Sequence, residues 1–489
     1  MLRARLIGAV CVAVILCTAV MVSAEPAEEV FHRASEAERT GNLEEALELF
    51  NRAAELDPGN SAILNNRAII YARKKDFVQA LRDLEQALRL NPNDAAAYLN
   101  RGLVYQEQGK IEAALENFNR TLEIDRENVQ ALLNRAALRM KAGALAESLV
   151  DLNRVLSLDP TSVRTYIVAG NLDLAQNAPD KAVKDFGNAV RLDPKNVEAV
   201  RGRAEAYLLK GDFERAVQDF TQTLSITGPN SDLLSSRCSA LVRIGRLEDA
   251  IQDCDEAVKL DPARADAFYK LGIARAAAGY DREAVEALTT AIELDGGQSK
   301  YFYNRGVAFN NLGQSENALR DFGKAIELDP KNVDAMNNHG GILWARGDLK
   351  PAMEDFQKAI TIDPRHLPAL KNLAAVCLAL NLTDRTISLL ELAVKLAPKD
   401  GELFVGLGDA YLAKKQYDKA QSLYKKSLEK AVTRDEKSQI LARTGLTWER
   451  LGNPSKAVQA YERALDATED VEHRQRLTRI ITELKSRRR

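Results

Sequence analysis

Small and apolar residues return along most of this chain at helical spacing, and residues 299–332 show the unit clearly. Phe302, Arg305, Gly306 and Phe309 fall at i, i+3, i+4 and i+7, which is one face of an α-helix. Gly313 closes that helix, and Ala318, Phe322, Ala325 and Ile326 mark the buried face of a second one. Asp329-Pro330 stops it, because proline excludes its predecessor from helical geometry. Small residues at Gly306 and Ala318 predict that the two helices approach closely.

The unit recurs on a 34-residue grid. Pro58, Pro92, Pro160, Pro194, Pro262, Pro330, Pro364 and Pro398 lie on it, with degenerate points at Arg126, Gly228 and Gly296. A second comb runs half a period away through Gly41, Lys75, Gly109, Gly143, Asn177, Gly211, Gly245, Gly279, Gly313, Gly347, Asn381 and Lys415. No insertion or deletion breaks the register from residue 27 to about residue 434. A period of this size predicts an array in which each repeat contacts only its neighbours.

The pattern resembles the tetratricopeptide repeat, with a large residue at position 4, small at 8, large or aromatic at 11, Ala at 20, aromatic at 24, Ala at 27 and Pro at 32. The resemblance covers residues 27–471 and implies an all-α fold, a right-handed superhelical solenoid of about thirteen helix–turn–helix repeats. Residues 472–489 continue as a basic helix with Leu477, Ile480, Ile481 and Leu484 on one face. They suit the solubilising cap that a solenoid end requires. Their arginines read as a solvated helix end placed favourably against the dipole.

Residues 1–24 break the pattern. Arg3 and Arg5 precede an apolar stretch from Leu6 to Val22, and Val22-Ser23-Ala24 is a small-residue cleavage signature before Glu25. This segment reads as a secretory signal peptide, so the chain is expected to be exported, to a periplasm or outside the cell. The alternative is an uncleaved membrane anchor. Three cysteines remain beyond it, and an odd, low number is no disulfide framework. Cys238, Cys254 and Cys377 read first as small buried apolar residues, although Cys238 and Cys254 sit where an oxidising compartment would allow a bridge.

Comparison of the repeats exposes a coupling. Position 7 is arginine at Arg67, Arg135, Arg203, Arg237 and Arg305, and sixteen residues later stand Asp83, Asp151, Asp219, Asp253 and Asp321. Arg101 meets Asn117, and Arg33 meets Leu49. Where position 7 is Leu271, Leu373 or Leu407, the partner is Ala287, Leu389 or Leu423. A guanidinium near a helix interface requires a hydrogen-bonded counter-charge, and leucine does not. The pairs are therefore expected to be structural. Ala169 with Asp185 is the exception, and His339 with Asp355 is a candidate variant.

In the family that the pattern resembles, the first helix of each repeat lines a concave groove. Position 6 here carries Asn66, Asn100 and Asn134, and later Asn304, Asn338 and Asn372. This is similar to the repeats of the O-linked N-acetylglucosamine transferase, where amides hold an extended peptide. A carboxamide both donates and accepts, so it can pair with a peptide unit whatever its side chain. Tyr269, Lys270, Lys300, Tyr303, Asn310, Asn311, Asn337, Trp344 and Lys371 surround the second run. They predict an aromatic and basic surface, its charge moderated by Asp266 and Asp334, for a segment with acidic or aromatic side chains. Trp344 has a second reading, packed between repeats.

Chemistry beyond binding is not indicated. His32, His339, His366 and His473 have no metal spacing, and there is no phosphate-binding glycine loop or nucleophile elbow. With a net charge of −2, no global field draws the chain to nucleic acid. The expectation is a scaffold for proteins or extended peptides, neither enzyme nor cofactor carrier. The alternative is a membrane-anchored assembly factor or co-chaperone, which touches a membrane only if the leader stays attached.

Overall fold

The computed structural model describes residues 25–486, so the leader expected at residues 1–24 and the closing Arg487, Arg488 and Arg489 lie outside it. The described residues contain helices and turns and no strand. They divide into two compact units at Gly228 and Pro229. Six helical hairpins make up the first, from Ala27–Arg39 to Phe213–Thr227. The second has seven, from Ser231–Arg243 to Pro454–Ala467, and then the final helix Val471–Ser486.

Each hairpin is punctuated as the two combs predict. Gly313 follows helix Ser299–Asn311 with φ 71°. Its turn is closed by Gln314 N–H donating to the Phe309 carbonyl at 2.8 Å, a Schellman arrangement. Lys75, Asn177, Asn381 and Lys415 hold the same left-handed conformation in their own turns. The aspartates before the prolines also have a task. Asp329 Oδ1 accepts from Lys331 N at 3.0 Å, and Asp363 Oδ1 accepts from Arg365 N at 2.9 Å. Each side chain thus fastens the turn between hairpins.

Packing within a hairpin is a knob in a hole. A Cβ added to Gly306 would lie 2.9 Å from the Phe322 ring, and one on Gly102 would lie 2.6 Å from Phe118. Phe322 and Phe118 are buried, and the missing side chain opposite is the space they fill. At the equivalent positions of the hairpin 231–260 stand Cys238 and Cys254. They form a disulfide there, at a sequence separation of 16. The bridge left open by the sequence is thus present, against the first reading of three small apolar residues; among the described residues only Cys377 is a free thiol, and it is buried. The core is a file of local clusters, such as Val30, Ala34, Phe50 and Ile63, in keeping with nearest-neighbour packing.

The arginine–aspartate pairs form as the sequence predicts. In all five, Nε and Nη2 reach the two carboxylate oxygens; for Arg203 and Asp219 the distances are 2.7 and 2.8 Å. Arg67, Arg135 and Arg305 are among those that also reach backward into the preceding repeat. Arg67 donates to Asn51 at 3.1 Å, Arg135 to Asn119 at 2.8 Å, and Arg305 to the Thr289 hydroxyl at 3.1 Å. One guanidinium thereby ties three helices. Arg101 bonds Asn117 at 2.7 Å, and His339 Nδ1 lies 2.6 Å from Asp355 Oδ2. Arg33 turns instead to Glu25 at 2.5 Å.

The final helix begins at Val471 and buries Leu477, Ile481 and Leu484 against Leu441, Ala457, Val458 and Tyr461. One of its basic residues has a definite structural role. Arg474 donates to the carbonyls of Leu465 and Thr468 at 2.7 and 2.8 Å, covering the open end of helix Pro454–Ala467.

Candidate functional site

Four of the six position-6 asparagines are already engaged with the preceding repeat. Asn100 donates to Asn65 at 2.9 Å, Asn304 to the Tyr269 hydroxyl at 3.4 Å, Asn338 to the Tyr303 hydroxyl at 3.5 Å, and Asn372 to Asn337 at 2.9 Å. Every bond joins position 6 of one repeat to position 5 of the one before. Asn66 is half-buried on helix Ser61–Arg73, and the residue at the corresponding earlier position is Phe31.

Asn134 departs from the series and from its expected role. It is 1% exposed, so it cannot present an amide to a groove. Its Oδ1 accepts from Arg164 at 2.9 Å, but its Nδ2 has no partner. The reason is that Leu99 stands at the position where Asn65, Tyr269, Tyr303 or Asn337 receives the amide elsewhere.

In the second unit the amides converge. A cavity of about 450 Å³ is lined by Asn310, Asn337, Asn338 and Asn372, with Ser315 and Arg346 at its sides and Val307, Phe322 and Ile342 among its apolar contacts. Its polar wall is a chain of hydrogen bonds. Asn372 donates to Asn337, Asn337 to Asn338 at 3.5 Å, and Asn338 to the Tyr303 hydroxyl. Helices Ser299–Asn311, Val333–Ala345 and Leu367–Ala379 each contribute one step. Burial pushes the Tyr303 and Tyr269 hydroxyls up, so both stay protonated at neutral pH and can accept from the asparagines. Each amide spends one N–H on its neighbour, and a carboxamide has two donors and an acceptor.

The basic charge expected here is moderated further than Asp266 and Asp334 alone implied, because the lysines are ion-paired. Asp266 lies 2.9 Å from Lys270 and 3.8 Å from Lys300. Lys300 also sits over the Tyr269 ring at 4.9 Å, and Tyr269 in turn packs on Tyr301. Lys371 contacts Asp400 at 3.2 Å and Glu402 at 3.4 Å. Asn311 is exposed and donates to Asp281 at 3.0 Å. Trp344 packs on the cluster of Ala352, Phe356, Leu373, Val376 and Cys377, the second of its two readings. It does not line the cavity.

Sequence reasoning passed over Asn65 and Ser315. The first was legible as an amide one position before the asparagine run. Recognising it required knowing that position 5 of one repeat faces position 6 of the next.

Known proteins echo this organisation. Profiles described as tetratricopeptide repeat match residues 31–95, 67–139, 167–231, 299–332, 333–366 and 400–470, and a profile described as TPR repeat matches residues 239–279. Among solved structures, a tetratricopeptide repeat protein from Parabacteroides merdae is 23% identical, covering 51% of this chain and 98% of its own, with a TM-score of 0.41. The APC/C hetero-tetramer Cut9–Hcn1 covers 94% of this chain and 97% of its own at 16% identity and a TM-score of 0.43. YrrB, described as a TPR protein with an unusual peptide-binding site, is 25% identical over 38% of this chain and 96% of its own, with a TM-score of 0.33. No curated protein matches the sequence.

Proposed function

Because this chain belongs to the tetratricopeptide repeat family, we propose that it is a non-enzymatic scaffold whose second unit holds an extended segment of a partner protein. The observation that carries this reading is the relay in which Asn372, Asn337 and Asn338 line one wall of a single cavity and the last of them is held by the Tyr303 hydroxyl behind it. Its members lie on successive repeats, so unspent donors and acceptors recur along the wall. An extended backbone meets such a row without regard to side chains. Each bond is worth only about 0.5–1.5 kcal/mol, so several must act together.

The test is a selection of displayed random peptides on the full chain. Peptides recovered on it should lose at least tenfold in affinity on the triple variant Asn304→Ala, Asn338→Ala, Asn372→Ala. Undiminished binding by that variant removes the site.

Export is the second half of the proposal, to a periplasm or outside the cell. The Cys238–Cys254 disulfide supports it, since such bonds persist in oxidising compartments. Among the described residues no helix is long and apolar enough to cross a membrane. An anchored form would therefore depend on Leu6 to Val22. Fractionation with N-terminal sequencing separates the two: a soluble protein starting at Glu25 supports export, and a membrane-bound one that retains Arg3 supports the anchored assembly factor.

A further inference from the structure

We infer that the asparagine-lined cavity selects an uncharged segment, with amide or hydroxyl side chains, over an acidic one. The inference rests on the peptide-binding reading and narrows its partner. Four of the cavity's polar lining residues are carboxamides and a fifth is the Ser315 hydroxyl. Its one charged lining residue, Arg346, is already matched, at 2.9 Å from Glu316 and 3.6 Å from Asp348. The cations around it are matched as well: Lys371 by Asp400 and Glu402, Lys300 and Lys270 by Asp266. His366 lies 3.1 Å from Asp334. Among these named groups six carboxylates stand against four lysines and arginines.

An acidic ligand would have to break one of these pairs or enter against a surplus of like charge. Neither gives it an advantage over water. A neutral segment meets no such cost. The wall can both donate to it and accept from it, because the side chains of the exposed Asn310 and the half-buried Ser315 make no hydrogen bond within the protein and the Asn372 side chain donates without accepting. Apolar contact comes from Val307 and the edge of Ile342. A ligand held in this way exchanges hydrogen bonds with water and releases few counter-ions, so its affinity should be insensitive to salt.

Fluorescence anisotropy of the selected peptides, on the full chain at 50 and 500 mM NaCl, tests this. Peptides of no net charge whose affinity changes by less than about threefold across that range support it, because screening at these concentrations removes most surface charge attraction. Recovery of mainly acidic peptides, or a loss of about tenfold or more in high salt, overturns the inference and leaves the peptide site standing. Binding by the triple alanine variant as tight as by the parent removes the site itself. Asn310→Lys guards against misfolding of that variant, since Asn310 is exposed and unbonded. It should weaken neutral peptides severalfold and strengthen acidic ones. Equal affinity of Asn310→Lys and parent for both classes overturns the inference.

Discussion

Arg203 closes on Asp219 through two parallel hydrogen bonds, Nε to Oδ2 at 2.7 Å and Nη2 to Oδ1 at 2.8 Å. The aspartate side chain is 8% exposed and the arginine 22%, so removing one partner leaves a largely desolvated charge. Asp219→Ala should destabilise the first unit by about 3 kcal/mol. Replacing both residues by leucine should recover most of that loss, because Leu373 and Leu389 occupy the same two positions in another repeat. Urea denaturation of the three proteins checks this, and equal midpoints for parent and Asp219→Ala would sink it.

Cys238 and Cys254 stand where Gly306 and Phe322 stand two repeats on. Their bond closes a loop with a sequence separation of 16. By loop-closure entropy it should stabilise the hairpin by about 3 kcal/mol. Reduction with dithiothreitol should lower the melting temperature of the second unit and leave that of the first unchanged. The double variant Cys238→Gly, Cys254→Phe should resist the reductant and regain much of the stability, since it restores the knob and its hole. Calorimetry with and without dithiothreitol distinguishes these outcomes.

Asp185 lacks its arginine because Ala169 stands at the paired position, and it faces Asp173 instead. Burial and that neighbouring carboxylate raise its pKa from 3.8 to about 6. The folded state therefore holds the proton more tightly than the unfolded chain. Its contribution to stability is complete below about pH 4 and is lost as the pH rises through 6. Asp185→Asn should raise stability at pH 7.5 by about 1 kcal/mol after solvent screening, and by little at pH 4. Thermal melts at the two pH values test the sign, and a larger gain at the lower pH would contradict it.

Asn134 keeps a buried Nδ2 without a partner. A buried donor left unpaired costs about 1–3 kcal/mol, and the exposed Arg164 that pairs with the carbonyl can turn to water. Asn134→Leu should therefore raise the stability of the first unit by about 1 kcal/mol, read as an upward shift of the denaturation midpoint.

The fold was legible because its signals repeat. Gly313 alone suggests a turn; twelve residues in one register, four of them not glycine, establish one, and all have positive φ. The arginine–aspartate pairs were legible for the same reason, through covariation among copies within the chain. The site was less so. A ladder of asparagines at position 6 is visible in one dimension, but its partners at position 5 belong to the neighbouring repeat. Asn134 and Asn338 look alike in sequence and differ because one meets Leu99 and the other Tyr303. Likewise Lys371 reads as a free cation until Asp400 and Glu402 are placed beside it.

Tyr303 and Asn337 are interchangeable receivers of the amide from the repeat that follows, and this separates the scaffold from what it holds. Excision of residues 333–366 would remove one whole period and set Asn372 against Tyr303, so the seam between the remaining hairpins would close again. Asn337 and Asn338 would be gone, and with them the middle of the cavity wall. Loss of a single period by recombination would leave a chain that still folds and has exchanged its ligand for another.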